Sequence, residues 1–155
     1  MPETSTLTGL ERFNNSGLVS LVDGQAGDSL VIRSVFAGDT DYLSEDGHLS
    51  VDAILGPEGK ADELHIEGNV TGVTKVHVNV VDATGTSEGI PVIRVFSGIT
   101  GIGDFVLDGP LYAGFYSWDM RFNAAENAHE LFTSGIGIGA EEFAGGMPAS
   151  DRQRY

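Results

Sequence analysis

The chain has 155 residues, enough for one domain with a real apolar core, and 41% of them are hydrophobic. Eight Lys and Arg against 23 Asp and Glu give a formal net charge of -15, a surface that repels nucleic-acid phosphates and anionic lipid headgroups alike. Cysteine is absent, which excludes a disulfide framework, a thiolate metal centre and a Cys nucleophile, and no apolar run approaches the roughly 18 residues of a membrane-spanning helix.

Taken in chain order, residues 1–10 carry neither a basic region nor an apolar run, so no signal peptide is expected there; an exported protein with this stretch would be a longer precursor. Glycines then punctuate short apolar runs at Gly9, Gly17, Gly24, Gly38, Gly47, Gly56, Gly72, Gly85, Gly98 and Gly109, the pattern of an all-β chain. Residues 28–32 (DSLVI) predict a strand that buries Leu30 and Ile32. An acidic stretch, residues 39–48, reads as a loop, and residues 49–53 (LSVDA) as a second strand. The first motif returns as residues 62–66 (DELHI), 34 positions on (28 to 62), with Leu64 and Ile66 inward. The second returns as residues 76–80 (VHVNV), 27 positions on (49 to 76), with Val76, Val78 and Val80 inward. Period-two alternation places His65, Glu67, His77 and Asn79 outward. The two offsets differ because residues 39–48 have only residues 73–75 as their counterpart. Repeats of this length, with strands and inserted loops, predict solenoid coils that bury each other's apolar faces.

Further on, residues 116–122 (YSWDMRF) place Tyr116, Trp118, Met120 and Phe122 on one face. That face reads as a plug for an open end of the solenoid, because a bare parallel edge invites aggregation. Residues 124–131 are the one good helix-forming cluster, and a short one. Helical periodicity is otherwise nearly absent.

Residues 9–17 (GLERFNNSG), 21–24 (LVDG) and 27–30 (GDSL) resemble a coil of the passenger β-helix of pertactin-like autotransporters. Residues 62–68 (DELHIEG) and 72–79 (GVTKVHVN) are similar to the C-terminal end of such passengers. So are residues 88–95 (EGIPVIRV), 105–110 (FVLDGP), 113–118 (AGFYSW) and 129–132 (HELF). The resemblance covers roughly residues 6–133. It implies a right-handed parallel β-helix (solenoid), residues 6–111, closed by a C-terminal β-hairpin cap, residues 112–133. Residues 134–155 match nothing in it and read as a flexible linker or tail. The resemblance further implies the autochaperone region, a non-catalytic module that nucleates and caps β-helix folding during secretion across the outer membrane. Its partners would be its own upstream passenger coils and its own outer-membrane barrel. Its location would be the cell surface, or the medium, of a Gram-negative bacterium, reached through the periplasm. A surface adhesin that binds a host ligand is the alternative, and a β-helical polysaccharide-degrading enzyme a more distant one.

The residues that could carry chemistry have plainer readings. Residues 27–30 spell a lipase-like block with Ser29 as nucleophile, but no helix follows. The recurrence at Asp62 replaces the serine by Glu63, so a turn entering a strand is expected. The acidic pairs Asp39/Asp41, Glu45/Asp46, Asp62/Glu63 and Glu141/Glu142 read as solvated surface without basic or aromatic company. Only residues 39–46 suggest a weak Ca²⁺ site, and they lack a calcium-repeat signature. His48, His65, His77 and His129 are dispersed in sequence and read as exposed. The Gly-rich residues 98–103 and 135–139 open no helix and are not followed by Lys-Ser or Lys-Thr, so no phosphate cradle is expected. No catalytic residue, cofactor, metal or nucleic-acid partner is therefore expected.

Overall fold

The computed structural model describes residues 2–9, 11–34 and 40–136. The chain winds in coils of three strands. β1 (Thr4–Leu7), β2 (Arg12–Asn15) and β3 (Leu18–Ser20) make the first coil. β4 (Ser29–Ile32), β5 (Asp41–Ser44) and β6 (Gly47–Leu55) make the second. β7 (Lys60–Ala61) folds back antiparallel on β6, and β8 (Glu63–Glu67), β9 (Val70–Thr71) and β10 (Thr74–Ala83) form the third. The winding continues through β11 (Ile90–Phe96) and β12 (Phe105–Leu107). Three antiparallel strands follow: β13 (Leu111–Ala113), β14 (Tyr116–Asn123) and β15 (Ala128–Ile136). No helix occurs among the described residues, so none is long and apolar enough to cross a membrane.

Like strands of successive coils stack in parallel. β1, β4, β8 and β11 line one wall, β2, β5 and β9 a second, and β3, β6, β10 and β12 a third. This is the parallel β-helix expected from the sequence. The register follows the sequence offsets, since Leu30 pairs with Leu64 and Leu49 with Val76. Ile32, Leu49, Val51, Leu64, Ile66 and Val76 are buried in the column between the walls. Leu30, Val78 and Val80 are half-buried against it. For Val78 and Val80 the reason is local: β12 pairs with β10 only from Thr74 to Val76, so beyond that point the downstream edge of β10 is not covered by β12.

The acidic stretch expected to be a loop contains a core strand. In β5, Tyr42 is fully buried, and its hydroxyl accepts from Asn15 Nδ2 (3.0 Å) and faces Thr74 Oγ1 (2.9 Å). One polar chain thus ties the first, second and third coils together. The corners are tight. A Cβ on Gly68 would collide with the Thr40 carbonyl, and one on Gly98 with the Gly68 carbonyl, so these turns stack backbone on backbone.

Candidate functional site

The two ends of the stack differ, and the difference starts where parallel pairing stops. β15 runs antiparallel to β11, matching Ile90 with Leu131 and Ile93 with His129. β14 pairs with β15, and β13 with β14. The helix-forming cluster at residues 124–131 is therefore a hairpin turn and the start of a strand. Asn123 Oδ1 accepts the Ala125 and Glu126 amides at 3.1 and 3.3 Å, a side-chain turn that competes with a helix. Asn127 takes a positive φ of 52°. Its side-chain Nδ2 donates to the carbonyls of Val95 and Gly98 at 3.0 and 3.1 Å, pinning the turn to the end of β11.

This hairpin turns one face to the core. Trp118 and Leu131 are buried, while Tyr116 and Met120 pack half-buried against the same cluster. The Trp118 indole N–H donates to the Ala113 carbonyl at 3.2 Å. Phe122 is half-buried and its ring lies 5.1 Å from that of His129.

His129 belongs to a column of rings that sequence reading missed. Phe13, Tyr42, Phe105, His129 and Phe122 follow one another at centroid spacings of 6.0, 5.7, 5.0 and 5.1 Å. The column runs from the first coil to the hairpin, through strands far apart in sequence. The reading of His129 as exposed is corrected: only 1% of it is accessible. It sits on a strand whose every early residue faces protein, because β15 is sandwiched between β11 and β14. The Thr100 hydroxyl donates to Asp104 (2.8 Å), so His129 Nε2, 2.9 Å from the same oxygen, is the protonated nitrogen. Burial pushes the His129 pKa from 6.5 down to about 4, against the opposing charge of Asp104.

A lowered histidine pKa means that the unfolded chain takes up a proton that the folded chain refuses. Stability is therefore unaffected well above pH 6.5 and is lost as pH falls from 6.5 towards 4. The loss should reach up to about 3 kcal/mol. Urea unfolding at pH 7 and pH 4.5 measures it, and His129→Phe should flatten that part of the profile. An unchanged slope in the variant would show that other groups set it.

Buried carboxylates form a second built feature. Asp52 and Asp62 are inaccessible and Asp28 nearly so, which corrects the reading of Asp62 as solvated surface. Asp28 Oδ1 accepts the Glu3 amide of the coil before it at 2.8 Å. Asp62 repeats the contact one coil later, accepting the Gly27 and Asp28 amides at 3.0 and 2.9 Å, while its other oxygen takes the Asp52 amide at 2.8 Å. Asp52 accepts the Asp23 and Gly24 amides and the Asn79 side chain at 2.6–2.8 Å. Burial, and the charges of Asp52 and Asp28, hold the Asp62 carboxyl above the ordinary range even though its hydrogen bonds pull the other way. Burial also acts on Asp52, but there the hydrogen bonds win and its pKa is lowered.

Glu63 does have basic company, at 2.8 Å from both Arg94 Nε and His65 Nε2, on the outer face of the first wall. Asp41 accepts the Asn69 amide. Asp39, Glu141 and Glu142 lie outside the described residues, as do residues 137–139 of the second Gly-rich segment. Ser29 sits in a parallel ladder between Thr4 and Glu63, with no strand–turn–helix around it.

Comparison with known proteins decides what this arrangement is. Residues 12–120, from the start of β2 to the middle of β14, match the family Autochaperone Domain Type 1. The chain belongs to that family. A stretch of 101 residues is also 37% identical to the probable autotransporter YfaL of Escherichia coli K12. The aligned part is 59% of this chain but only 8% of that protein's length. The autochaperone domain thus has two unlike ends. Downstream lies the hairpin. Upstream, β1, β2 and β3 each stand at the margin of their sheet, and all four residues of β1 are exposed. Leu7 and Leu18 are exposed there as well. Residues 134–136, expected to begin the tail, continue β15 beside β14, where Tyr116 pairs with Ile136. Residues 137–155 lie outside the described residues.

Proposed function

We propose that this autochaperone domain nucleates folding of its own passenger during secretion across the outer membrane of a Gram-negative bacterium. The hairpin of β14 and β15 caps the downstream end through Tyr116, Trp118, Met120 and Phe122. The margins of β1, β2 and β3 receive the upstream coils one by one. The observation that carries this reading is the change from parallel coils to an antiparallel hairpin, which sets Trp118 and Leu131 against the core. Each added coil buries apolar surface worth about 25 cal/mol per Å² and finds a preformed template, so the unfavourable first coil need not be formed again. A domain with this task needs no catalytic group. Its partners are the upstream coils and the barrel of the same polypeptide, and its place is the cell surface.

Deleting residues 112–133 from the full-length protein tests the reading. The barrel should still insert, but the surface-exposed passenger should become protease-sensitive. The 155-residue chain supplied in trans should restore part of the resistance. A deleted protein whose passenger resists protease like the wild type would overturn the proposal.

A further inference from the structure

The four histidines are dispersed in the sequence, and the winding brings two of them together. His48 on β6 and His77 on β10 lie on adjacent strands of the third wall, and Asp108 follows directly on β12, whose pairing with β10 it extends through its amide to the Val76 carbonyl (2.9 Å). The two imidazoles stack at 5.1 Å with 25° between their planes. His48 Nδ1 stands 2.9 Å from His77 Nε2, which stands 3.3 Å from Asp108 Oδ2. All three donor atoms fall within 4.8 Å of one another.

We propose that His48, His77 and Asp108 form a binding site for a late first-row transition-metal dication such as Zn²⁺ or Cu²⁺. Two ligand atoms each about 2.0–2.1 Å from a common ion lie about 2.9 Å apart at a right angle and about 3.3 Å apart at a tetrahedral angle. The His48–His77 and His77–Asp108 separations are of that size. Without an ion, only one proton can lie between the two ring nitrogens, and the one on His77 Nε2 would serve both His48 and Asp108. An ion satisfies all three lone pairs at once. The donor set selects the metal class: two imidazoles suit Zn²⁺, Cu²⁺ or Ni²⁺, whereas Ca²⁺ and Mg²⁺ require oxygen shells. The side chains of His77 and Asp108 are 40% and 38% accessible, so the ion can enter and water can complete its coordination. Lys75, in register with His48, opposes a cation, but it is exposed and its long stem leaves the ammonium room to turn to solvent.

The site would staple three consecutive coils, at the point where the chain leaves the solenoid for the hairpin. An ion bound only by the folded chain stabilises it by mass action. The test is calorimetric titration of the untagged 155-residue chain with ZnCl₂, together with thermal unfolding with and without the ion. One ion per chain and a raised Tm are expected. His48→Gln and His77→Gln should weaken binding at least about tenfold, and Asp108→Asn should weaken it too, while His65→Gln should not. CaCl₂ should neither bind nor shift the Tm. Circular dichroism checks that each variant stays folded. Should His77→Gln fail to fold, electron paramagnetic resonance of the Cu²⁺-loaded wild type decides, because coupling to two nitrogens is expected. Absence of saturable Zn²⁺ binding, binding unchanged in a folded His77→Gln variant, or a Cu²⁺ spectrum without nitrogen coupling would each overturn the assignment.

Discussion

Trp118→Ala should destabilise the isolated domain by about 3–5 kcal/mol, the range for truncating a large buried aromatic. Trp118 is 3% accessible and lies in the same apolar cluster as Leu131, Phe105 and Val76. Its removal leaves a cavity between the hairpin and the last coil and frees the Ala113 carbonyl from its indole partner. Trp118→Phe should lose less, because most of the apolar volume stays and only the N–H is gone. Urea denaturation followed by circular dichroism is the suitable measurement, since this is the chain's one tryptophan and its fluorescence disappears with it. A loss below about 1 kcal/mol would mean that the hairpin merely lies beside the solenoid, and the proposed cap would fail.

Asp62→Ala should be comparably severe, at least about 3 kcal/mol, for an unrelated reason. The carboxylate answers three backbone N–H groups, buried ones from Asp28 and Asp52 and a half-buried one from Gly27. Each donor left without a partner costs about 1–3 kcal/mol. Asp62→Asn separates charge from hydrogen bonding. One oxygen can still take the Gly27 and Asp28 amides, but the new NH₂ group faces the Asp52 N–H. An intermediate loss is expected, and hydrogen exchange should show the Asp52 amide opening first. Equal losses for Ala and Asn would indicate that the charge, rather than the donor count, matters at this corner.

The walls were legible in the sequence where strands are long and alternate cleanly. The offsets of 34 and 27 residues between recurring motifs are the offsets at which Leu30 meets Leu64 and Leu49 meets Val76. Alternation also oriented β8, where Leu64 and Ile66 are buried and His65 and Glu67 half-buried. The second wall was illegible because its strands are two to four residues long and flanked by acids. A tyrosine between Asp41 and Leu43 gives no period to read, and only the coil above and below makes Tyr42 a core residue. The buried carboxylates escaped for a similar reason. Nothing local distinguishes Asp62 from a surface acid, since its three donors come from the preceding coil and from the far side of the β6–β7 turn. His48, His77 and His129 likewise acquire their neighbours only from winding.

The antiparallel turn taken by β15 against β11 also limits what copies of this domain can do to one another. Head-to-tail fibres need two complementary ends on every unit, so that each copy offers what the next one takes. Here the sheet that contains β1 ends at its other margin in β13, three residues long and running against the order of the coils. In that sheet a second copy therefore finds no parallel seat downstream, whereas the other two walls end in the short parallel strands β9 and β12.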